Sequence, residues 1–347
     1  MREIVAPLYR RSLPCLGRIS SALGLKRPTL FCLHSVERHD DFGRLSGRMA
    51  ITDVFLDELL AHARRRNIEV ISLDECLLRL SAKKLDPFIC LTFDDGYRDN
   101  YEVAYPILLK HRVPATIFLA TGLIDRTSPM WWHPLERAVS VSDDFGIRSR
   151  RQPLQNSVDR QRTYDKWASR FRALDAAGIL HLSDELAASN PNFRTSDAFE
   201  SVLDWDMVRE MAASGLITFG VHTATHPVMA RLSEAETIAE VEISRDRYTE
   251  MVGSRPKYFA YPFGQSHETG DQAAQIVAQA GFAAAFTTKA ATLRASNTQD
   301  FFRLPRIMLT ERTQNVSTLD AYISGLTELL KCDISFPYES RRQQSRI

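Results

Sequence analysis

Leu91-Thr-Phe-Asp-Asp-Gly-Tyr97 places two adjacent carboxylates, Asp94 and Asp95, at the end of an apolar run. The run over residues 87–93 is short and nearly continuous in apolar side chains, which is typical of a parallel strand buried on both faces. Gly96 then lets the backbone turn sharply. Barrels of alternating strands and helices carry their chemistry at the carboxyl ends of the strands, so the sequence predicts a functional pair here. A polar turn without a function is the alternative.

A second motif, His222-Thr-Ala-Thr-His226, follows another run that is typical of a strand, Leu216–Val221. Pro227 disfavours helical backbone at the residue before it, so we expect the two histidines to lie on a tight loop. Both motifs then lie on the same rim of the barrel. They supply an oxygen ligand, two nitrogen ligands and a spare carboxylate that can take a proton from water, which indicates a metal-dependent hydrolase.

Strand-like and helix-like segments alternate along the chain in the pattern of a parallel sheet wrapped by helices, so the sequence predicts an α/β fold. We expect one catalytic domain over residues 28–330, followed by a tail over 331–347, because barrels of this kind often exceed about 250 residues. The predicted strands are Thr29–His34, Ile68–Ile71, Phe88–Phe93, Ala115–Ala120, Leu216–Val221, Lys257–Ala260, Ala283–Thr287 and Arg303–Leu309.

Three motifs carry a family resemblance: the Thr-Phe-Asp-Asp-Gly-Tyr run, the His-x-x-x-His pair and the later Tyr261-Pro262-Phe263-Gly264. In their order and spacing, over about residues 29–309, the chain resembles the polysaccharide deacetylases, the carbohydrate esterase group that shares the NodB homology domain. The resemblance implies a distorted (β/α) barrel with fewer than eight regular strands. It also implies an enzyme that uses one divalent metal ion to remove an N-linked or O-linked acetyl group from a sugar.

The resemblance assigns roles to the first two motifs. It implies that Asp95, His222 and His226 bind the metal ion and that Asp94 is the general base. A turn at Gly96 supports this division, because it allows one carboxylate to ligate while its neighbour stays within a hydrogen bond of the water. Imidazole and carboxylate ligands with an open position suit Zn²⁺, and Co²⁺ or Ni²⁺ are alternatives.

The third motif is predicted to contact the substrate. In the family a backbone N–H of this motif, here that of Phe263, stabilises the tetrahedral oxyanion. Tyr261 is expected to line the acyl pocket, with Pro262 and Gly264 beside it.

Two family features are absent from their usual places. The late Leu-x-His motif, whose histidine is the general acid in many members, has no counterpart in residues 303–309. His34 follows the first strand and resembles the early catalytic histidine of the biofilm-type members, so we predict it as the acid, with His133 next in order. A strand-end histidine without a function is the alternative. The arginine that often precedes the third motif is also missing, and Arg306, ahead of Arg303, is predicted to orient the base.

An insert at about residues 126–200 departs from the alternating pattern. It begins near the adjacent Trp131 and Trp132 and then becomes charged and helix-like without obvious strands. On the catalytic rim such an insert is well placed to shape a substrate groove. The two tryptophans are predicted to bind substrate by stacking on sugar rings, and anchoring of the insert to the core is the alternative.

Residues 1–27 form a basic extension, with six Lys and Arg residues against one Glu. Arg10, Arg11 and Pro14 interrupt its apolar residues, so the sequence predicts neither a secretory signal nor a membrane span. A solvated or loosely packed extension and a basic, amphipathic contact with an anionic membrane surface are both open. The five cysteines show no Cys-x-x-Cys spacing, which favours a reducing compartment. We therefore expect a cytoplasmic protein that is peripheral at the inner membrane surface if the contact exists.

Composition agrees with a globular enzyme and excludes one class of partner. With 44% hydrophobic residues, 25% charged residues and a formal net charge of +1, the chain can build a large core and has no global bias toward nucleic acid. We expect its partner to be an acetylated glycan or a lipid-linked sugar, with N-acetyl hydrolysis ahead of O-acetyl hydrolysis. Two other functions stay open: a metal-dependent amidase that acts on a small amide or formamide, and a non-catalytic glycan-binding barrel.

Overall fold

Parallel strands form the centre of the molecule. A computed structural model describes residues 2–41, 49–148 and 150–329. The longest strand of the sheet, Phe88–Phe93, is buried along its whole length. In chain order the strands are β1 Thr29–Leu33, β2 Ser35–Glu37, β3 Ala50–Thr52, β4 Glu69–Val70, β5 Phe88–Phe93, β6 Ala115–Leu119, β7 Asp144–Ile147, β8 Arg150–Pro153, β9 Ile217–Val221, β10 Tyr258–Ala260, β11 Ala284–Phe286 and β12 Ile307–Met308.

Seven strands form one curled sheet in the order β11-β10-β9-β6-β5-β1-β12, and β4 pairs with β5 beside this path. All of these pairings are parallel. The two ends of the curl meet where Phe286 of β11 forms a single parallel bridge with Leu304, whereas β1 and β5 pair over all of Thr29–Leu33. The fold is therefore the distorted (β/α) barrel with fewer than eight regular strands that the sequence predicted.

Helices cover the outside of the sheet. In chain order they are α1 Arg2–Ala22, α2 Asp53–Arg65, α3 Leu73–Ser81, α4 Tyr105–His111 with a π-helical turn Asn100–Ala104 before it, α5 Thr121–Ile124, α6 Trp132–Val141, α7 Ser157–Phe171, α8 Ala176–Ser189, α9 Asp197–Glu200, α10 Trp205–Ala213, α11 Glu234–Val252, α12 Ser266–Thr269, α13 Asp271–Gln279, α14 Val316–Ile323 and α15 Leu326–Leu329. Side chains mark where several begin: Asp204 caps α10, and Ser233 with Glu236 forms a capping box on α11. α11 ends at Gly253, which adopts the left-handed φ of 81° that glycine tolerates.

Alternate residues of the strands face two different cores. In β5, Ile89 and Leu91 belong to the apolar cluster between the sheet and the outer helices, whereas Cys90 belongs to the cluster that the strands enclose. Because the side-chain period of a strand is two residues, Thr92 and then Asp94 continue the enclosed series. The alternation thus turns the first carboxylate of the motif into the barrel.

The last strand is shorter than the sequence predicted. The structure has β12 at Ile307–Met308, where a strand over residues 303–309 was expected. Phe301–Arg303 forms a 3-10 turn instead, and Pro305 has no N–H to give to a sheet ladder. The prediction was therefore wrong in its first four residues and in its last, Leu309.

The insert packs around a hydrophobic core of its own. It consists of α6 to α9 and an antiparallel hairpin of β7 and β8. The sequence showed no obvious strands here, because β8 is largely exposed and lacks the apolar alternation of a half-buried strand. The larger members of this core are Trp131, Leu135, Phe145, Trp167, Phe171 and Phe193.

The N-terminal segment forms α1 and packs against α14. A Cβ atom at Gly17 would lie 1.5 Å from the carbonyl oxygen of Ser317, so only glycine allows this close approach. Leu13 and Ser20 are buried on the same face. Of the two interpretations of the extension, loose packing does not describe this part of it.

Among the described residues, no helix has the length and apolar character needed to cross a bilayer. The predicted tail over 331–347, which includes Cys332, lies outside the described residues. The other four cysteines are free thiols.

Candidate active site

Polar side chains from the ends of three strands meet at the carboxyl rim of the barrel. His34 follows β1, Asp94 and Asp95 follow β5, and His222 follows β9. The sheet ladder continues into the site, because the Asp94 N–H donates to the last carbonyl of β1 at 2.9 Å and the His222 N–H donates to the last carbonyl of β6 at 2.8 Å. Backbone hydrogen bonds therefore fix where both motifs begin.

Asp94 faces the guanidinium group of Arg306. Nη1 donates to Oδ1 and Nη2 donates to Oδ2, each at 2.7 Å, and both side chains are almost fully buried. The thiol of Cys32 donates to Oδ2 at 3.3 Å. Burial, the largest single cause, raises the pKa of Asp94, but attraction to Arg306 and to nearby histidines, together with the hydrogen bonds from Arg306, outweighs it and holds this pKa well below the usual range. The carboxylate is therefore ionised and fixed in direction at neutral pH.

Arg306 is itself held by the barrel interior. Its Nη1 also donates to Thr92 Oγ1 at 3.0 Å, and its Nε donates to the carbonyl of Thr287 at 3.2 Å. The guanidinium lies 5.3 Å from the centre of the Phe118 ring. The structure thus brings Arg306 to the carboxylate as the sequence predicted, while Arg303 is 40% exposed and pairs with Asp300 and Asp271 away from it.

Asp95 faces two histidines. Its backbone has a left-handed φ of 72°, which turns its side chain away from that of its neighbour. Oδ1 lies 3.2 Å from Nε2 of His226 and 3.5 Å from Nε2 of His222. This buried oxygen has no hydrogen-bond partner among the described residues. One ligand atom from each of the three residues lies within 4.8 Å of the other two, which is the spacing of a mononuclear metal site.

A hydrogen bond fixes the orientation of the His222 ring. Its Nδ1 lies 2.7 Å from the carbonyl oxygen of Ala260. That contact requires the proton on Nδ1, so the lone pair of Nε2 points toward Asp95. Burial, the largest cause, lowers the pKa of His222 to about 4, so the ring is neutral at pH 7. One buried carboxylate and two imidazoles that converge in this way fit a zinc ion.

His226 lies on a tight loop, as the sequence predicted from Pro227. Its N–H donates to Thr223 Oγ1 at 3.0 Å, and its φ is left-handed at 61°. Glu240 of α11 clamps the loop, because its carboxylate accepts from two backbone N–H groups at 2.8 and 2.9 Å and from the Thr225 hydroxyl at 2.6 Å. Glu240 could not be predicted from the sequence, since its position in a helix carries no motif.

His34 lies on the other side of Asp94. A ring nitrogen of His34 lies within 4.8 Å of both Cys32 Sγ and the Asp94 carboxylate. Its backbone carbonyl accepts from Asn100 Nδ2 at 2.7 Å, and its Nδ1 has no hydrogen-bond partner among the described residues. His133, the other candidate acid, lies in the insert with its Nδ1 2.9 Å from the Ser201 hydroxyl.

The third motif forms a tight turn beside the histidines. Phe263 and Gly264 both have left-handed φ values, 61° and 78°. A Cβ at Gly264 would lie 2.7 Å from the Thr288 nitrogen, so glycine is required there. Tyr261 is completely buried and donates its hydroxyl to the carbonyl of Phe302 at 2.9 Å. Its side chain therefore has no exposed surface, in contrast to the expected position lining an acyl pocket.

The two tryptophans of the insert differ in their surroundings. Trp131 is 5% exposed and stacks on Phe171, with ring centres 4.7 Å apart, inside the core of the insert. Trp132 is partly exposed and faces the rim, where its ring centre lies 4.9 Å from that of His226. Trp131 thus occupies the anchoring position that the sequence left open, and Trp132 borders the site.

Known proteins resemble this chain in sequence and in fold. A family model described as polysaccharide deacetylase matches residues 81–285, which is more than half of the chain. Over 43 residues the chain is 46% identical to YxkH of Bacillus subtilis, whose name assigns it to the polysaccharide deacetylases. That stretch covers 12% of this chain and 15% of YxkH.

Solved structures share the fold over most of the chain. The deacetylase PplD of Streptococcus pyogenes, determined in complex with acetate, is similar with a TM-score of 0.56 and 19% identity, covering 86% of this chain and 99% of PplD. IcaB from Ammonifex degensii is similar with a TM-score of 0.57 and 19% identity, covering 86% of this chain and 97% of IcaB. At this level of identity the likeness establishes a common barrel.

Proposed function

Because the chain belongs to the polysaccharide deacetylase family, we propose that it is a metal-dependent hydrolase that releases acetyl groups, preferably N-acetyl groups, from a glycan. One observation carries this proposal. Asp94 and Asp95 are neighbours in the chain, yet one faces a guanidinium group and the other faces two imidazoles. This arrangement supports a base and a metal ligand side by side on one turn.

Asp95, His222 and His226 are the residues that would hold the ion, and Zn²⁺ is the ion we propose, with Co²⁺ and Ni²⁺ as alternatives. When bound, a divalent ion supplies a Lewis acid that polarises the acetyl carbonyl and lowers the pKa of water. Every other step falls to side chains and backbone groups of the chain.

Asp94 takes the proton from the attacking water. A carboxylate offers about four lone-pair positions. Arg306 occupies one on each oxygen, and Cys32 occupies a second one on Oδ2. One position on Oδ1 remains for the proton of the water. Arg306 thereby fixes the direction of the base without consuming its capacity to accept.

His34 donates a proton to the leaving amine as the carbon–nitrogen bond breaks. A ring nitrogen of His34 lies within 4.8 Å of the Asp94 carboxylate, which supports this role. The backbone N–H of Phe263 is the proposed donor to the oxyanion that develops on the carbonyl oxygen. The acetate complex of PplD supports acetyl release as the reaction.

The glycan is proposed to lie across the rim between the insert and the third motif. Trp132 offers a partly exposed ring for stacking, and Pro262 to Gly264 form the opposite side. A polymer and a lipid-linked precursor present the same acetylated sugar. For the lipid-linked form we propose that α1 contacts the anionic inner membrane surface from the cytoplasm.

Acetate release from a panel of acetylated sugars tests the function. Metal-stripped protein is assayed with and without one equivalent of Zn²⁺ on chitooligosaccharides, on an O-acetylated glycan and on formamide. We expect zinc-dependent acetate release from the N-acetylated oligosaccharide. Binding of the oligosaccharide without acetate release would instead support the glycan-binding barrel, and turnover of formamide alone would support the small-amide amidase.

A further inference from the structure

The two histidine ligands differ in how their rings are oriented. His222 bonds the carbonyl of Ala260 through Nδ1, whereas Nδ1 of His226 is buried and has no hydrogen-bond partner among the described residues. A ligating histidine almost always donates its second N–H to a neighbouring group, which fixes the ring. The orientation of the His226 ring must therefore come from another source.

The backbone fixes only part of this geometry. The Thr223 hydroxyl holds the His226 N–H, and Glu240 clamps the two residues before it. These bonds place the Cα atom of His226 but leave rotation about its side-chain bonds free. A ring that must present Nε2 to an ion needs contacts on its faces.

Aromatic rings supply those contacts. The ring centre of Trp132 lies 4.9 Å from that of His226 at an interplanar angle of 45°, and the ring centre of Phe263 lies at 4.8 Å and 62°. Such tilted arrangements are those that aromatic pairs prefer. His226 is thus held between one ring from the insert and one from the third motif.

Both of these rings are themselves held in place. The indole N–H of Trp132 donates to the hydroxyl of Tyr97 at 2.7 Å, and Tyr97 ends the same strand-end motif that carries the carboxylates. The guanidinium group of Arg172, at the end of α7, lies 4.6 Å from the centre of the Phe263 ring. The insert therefore supports the His226 ring from both sides.

We propose that Trp132 is a positioning residue for His226, and that the insert, through Trp132, sets the affinity of the metal site. This inference rests on the metal site of the proposed function. Packing by the indole takes the place of the hydrogen bond that orients His222. If Trp132 only stabilised the fold of the insert, its replacement would leave zinc affinity unchanged. A positioning role and a purely structural role are therefore separable by measurement.

The test is the zinc dissociation constant, measured by competition with a chromogenic chelator, alongside the melting temperature of the metal-stripped protein. Trp132→Leu should raise the dissociation constant by about 10- to 100-fold, the usual effect of losing an outer partner of a ligand. Trp132→Phe keeps a ring against His226 and should recover most of the affinity. Tyr97→Phe keeps the indole but removes the hydroxyl that holds it, and should weaken zinc binding by a smaller factor.

Trp205→Leu is the matched control. Trp205 is also largely buried and also donates its indole N–H, here to Asp125 at 2.8 Å, but it lies on α10 away from the histidines. The Trp205→Leu variant should have a lower melting temperature and unchanged zinc affinity. Should Trp132→Leu fail to fold, the Tyr97→Phe variant tests the proposal instead, because it removes a single oxygen atom and leaves the rest of the core intact. Unchanged zinc affinity in the folded variants would overturn the inference, whereas a wild-type protein that takes up no zinc would instead refute the proposed function.

Discussion

The barrel rim and the insert meet at the same site but are built by different forces. On the rim, Asp94 and His222 continue the hydrogen-bond ladder of the sheet, so the backbone sets their positions. The insert has its own apolar core and contacts the histidine pair through side chains, chiefly the indole of Trp132. In the proposed mechanism the groups that act on the acetyl group belong to the rim, and the insert adjusts them by packing.

If the rim holds the ion, loss of one ligand should have the most severe consequence of any single change. His222→Ala or His226→Ala removes one of three protein ligands, so zinc content and acetate release should fall together and almost completely. His62→Ala is the control, because His62 is also mostly buried but pairs with Asp320 on the outer side of the barrel. Full activity in either ligand variant would place the chemistry elsewhere.

Removal of the proposed acid should separate two substrates. His34→Ala should retain zinc and lose about 10²- to 10⁴-fold in turnover of an N-acetyl sugar, because an amine must be protonated as it leaves. On nitrophenyl acetate the loss should be smaller, since nitrophenolate leaves without a proton. His133→Ala, within the insert, should leave both rates nearly unchanged. Equal losses on both substrates in the His34 variant would indicate structural damage, and a selective loss in the His133 variant would move the acid role into the insert.

The buried pair in the barrel should dominate stability. Arg306→Met strands the Asp94 carboxylate without its partner and should cost about 3–5 kcal/mol of unfolding free energy. Urea unfolding of the metal-stripped protein measures this. Adding Asp94→Asn should restore most of the loss, because the stranded charge is then gone. Arg303→Met should cost less than about 1 kcal/mol, since its ion pairs are exposed. The reverse ranking would assign the guanidinium role to Arg303.

The weakest predicted effect concerns α1 and the residue after it. Ile19 on α1 is 49% exposed and Leu23, just after its end, is 67% exposed, near the basic Arg18. Vesicles of anionic lipid should bind the protein weakly at low salt, and Leu23→Ser should reduce that binding. Leu78→Ser is the control, because Leu78 is equally exposed at 67% on α3. If Leu23→Ser or added salt left vesicle binding unchanged, the membrane proposal would be wrong.

The sequence predictions succeeded for the rim and less so for the contacts of the insert. The carboxylate pair and the histidine pair are local motifs at strand ends, so strand periodicity and Gly96 were enough to place them on one rim. Cys32 and Thr92 were missed, although each lies two residues before a site residue and therefore shares its face of the strand. The same period of two would have found both.

Contacts between segments that are distant in the chain could not be predicted from local sequence patterns. Glu240 clamps the histidine loop from a helix, and Arg172 reaches Phe263 from the end of another. Neither position carries a motif or a period that points to the rim. The positions of the adjacent Trp131 and Trp132 could not be predicted either. Neighbouring side chains on a helix point in different directions, and only the packing determines which one contacts the site.

The same substitution at two neighbouring positions tests the division of labour most directly. Asp94→Asn and Asp95→Asn each replace a carboxylate by an amide of equal size, and zinc content and turnover of an N-acetylated oligosaccharide are measured for both. Asp94→Asn should keep its zinc and lose about 10²- to 10⁴-fold in turnover, because only the base is gone. Asp95→Asn should lose zinc affinity and activity together. Equal loss of zinc in both variants, or retention in Asp95→Asn with loss in Asp94→Asn, would contradict the account.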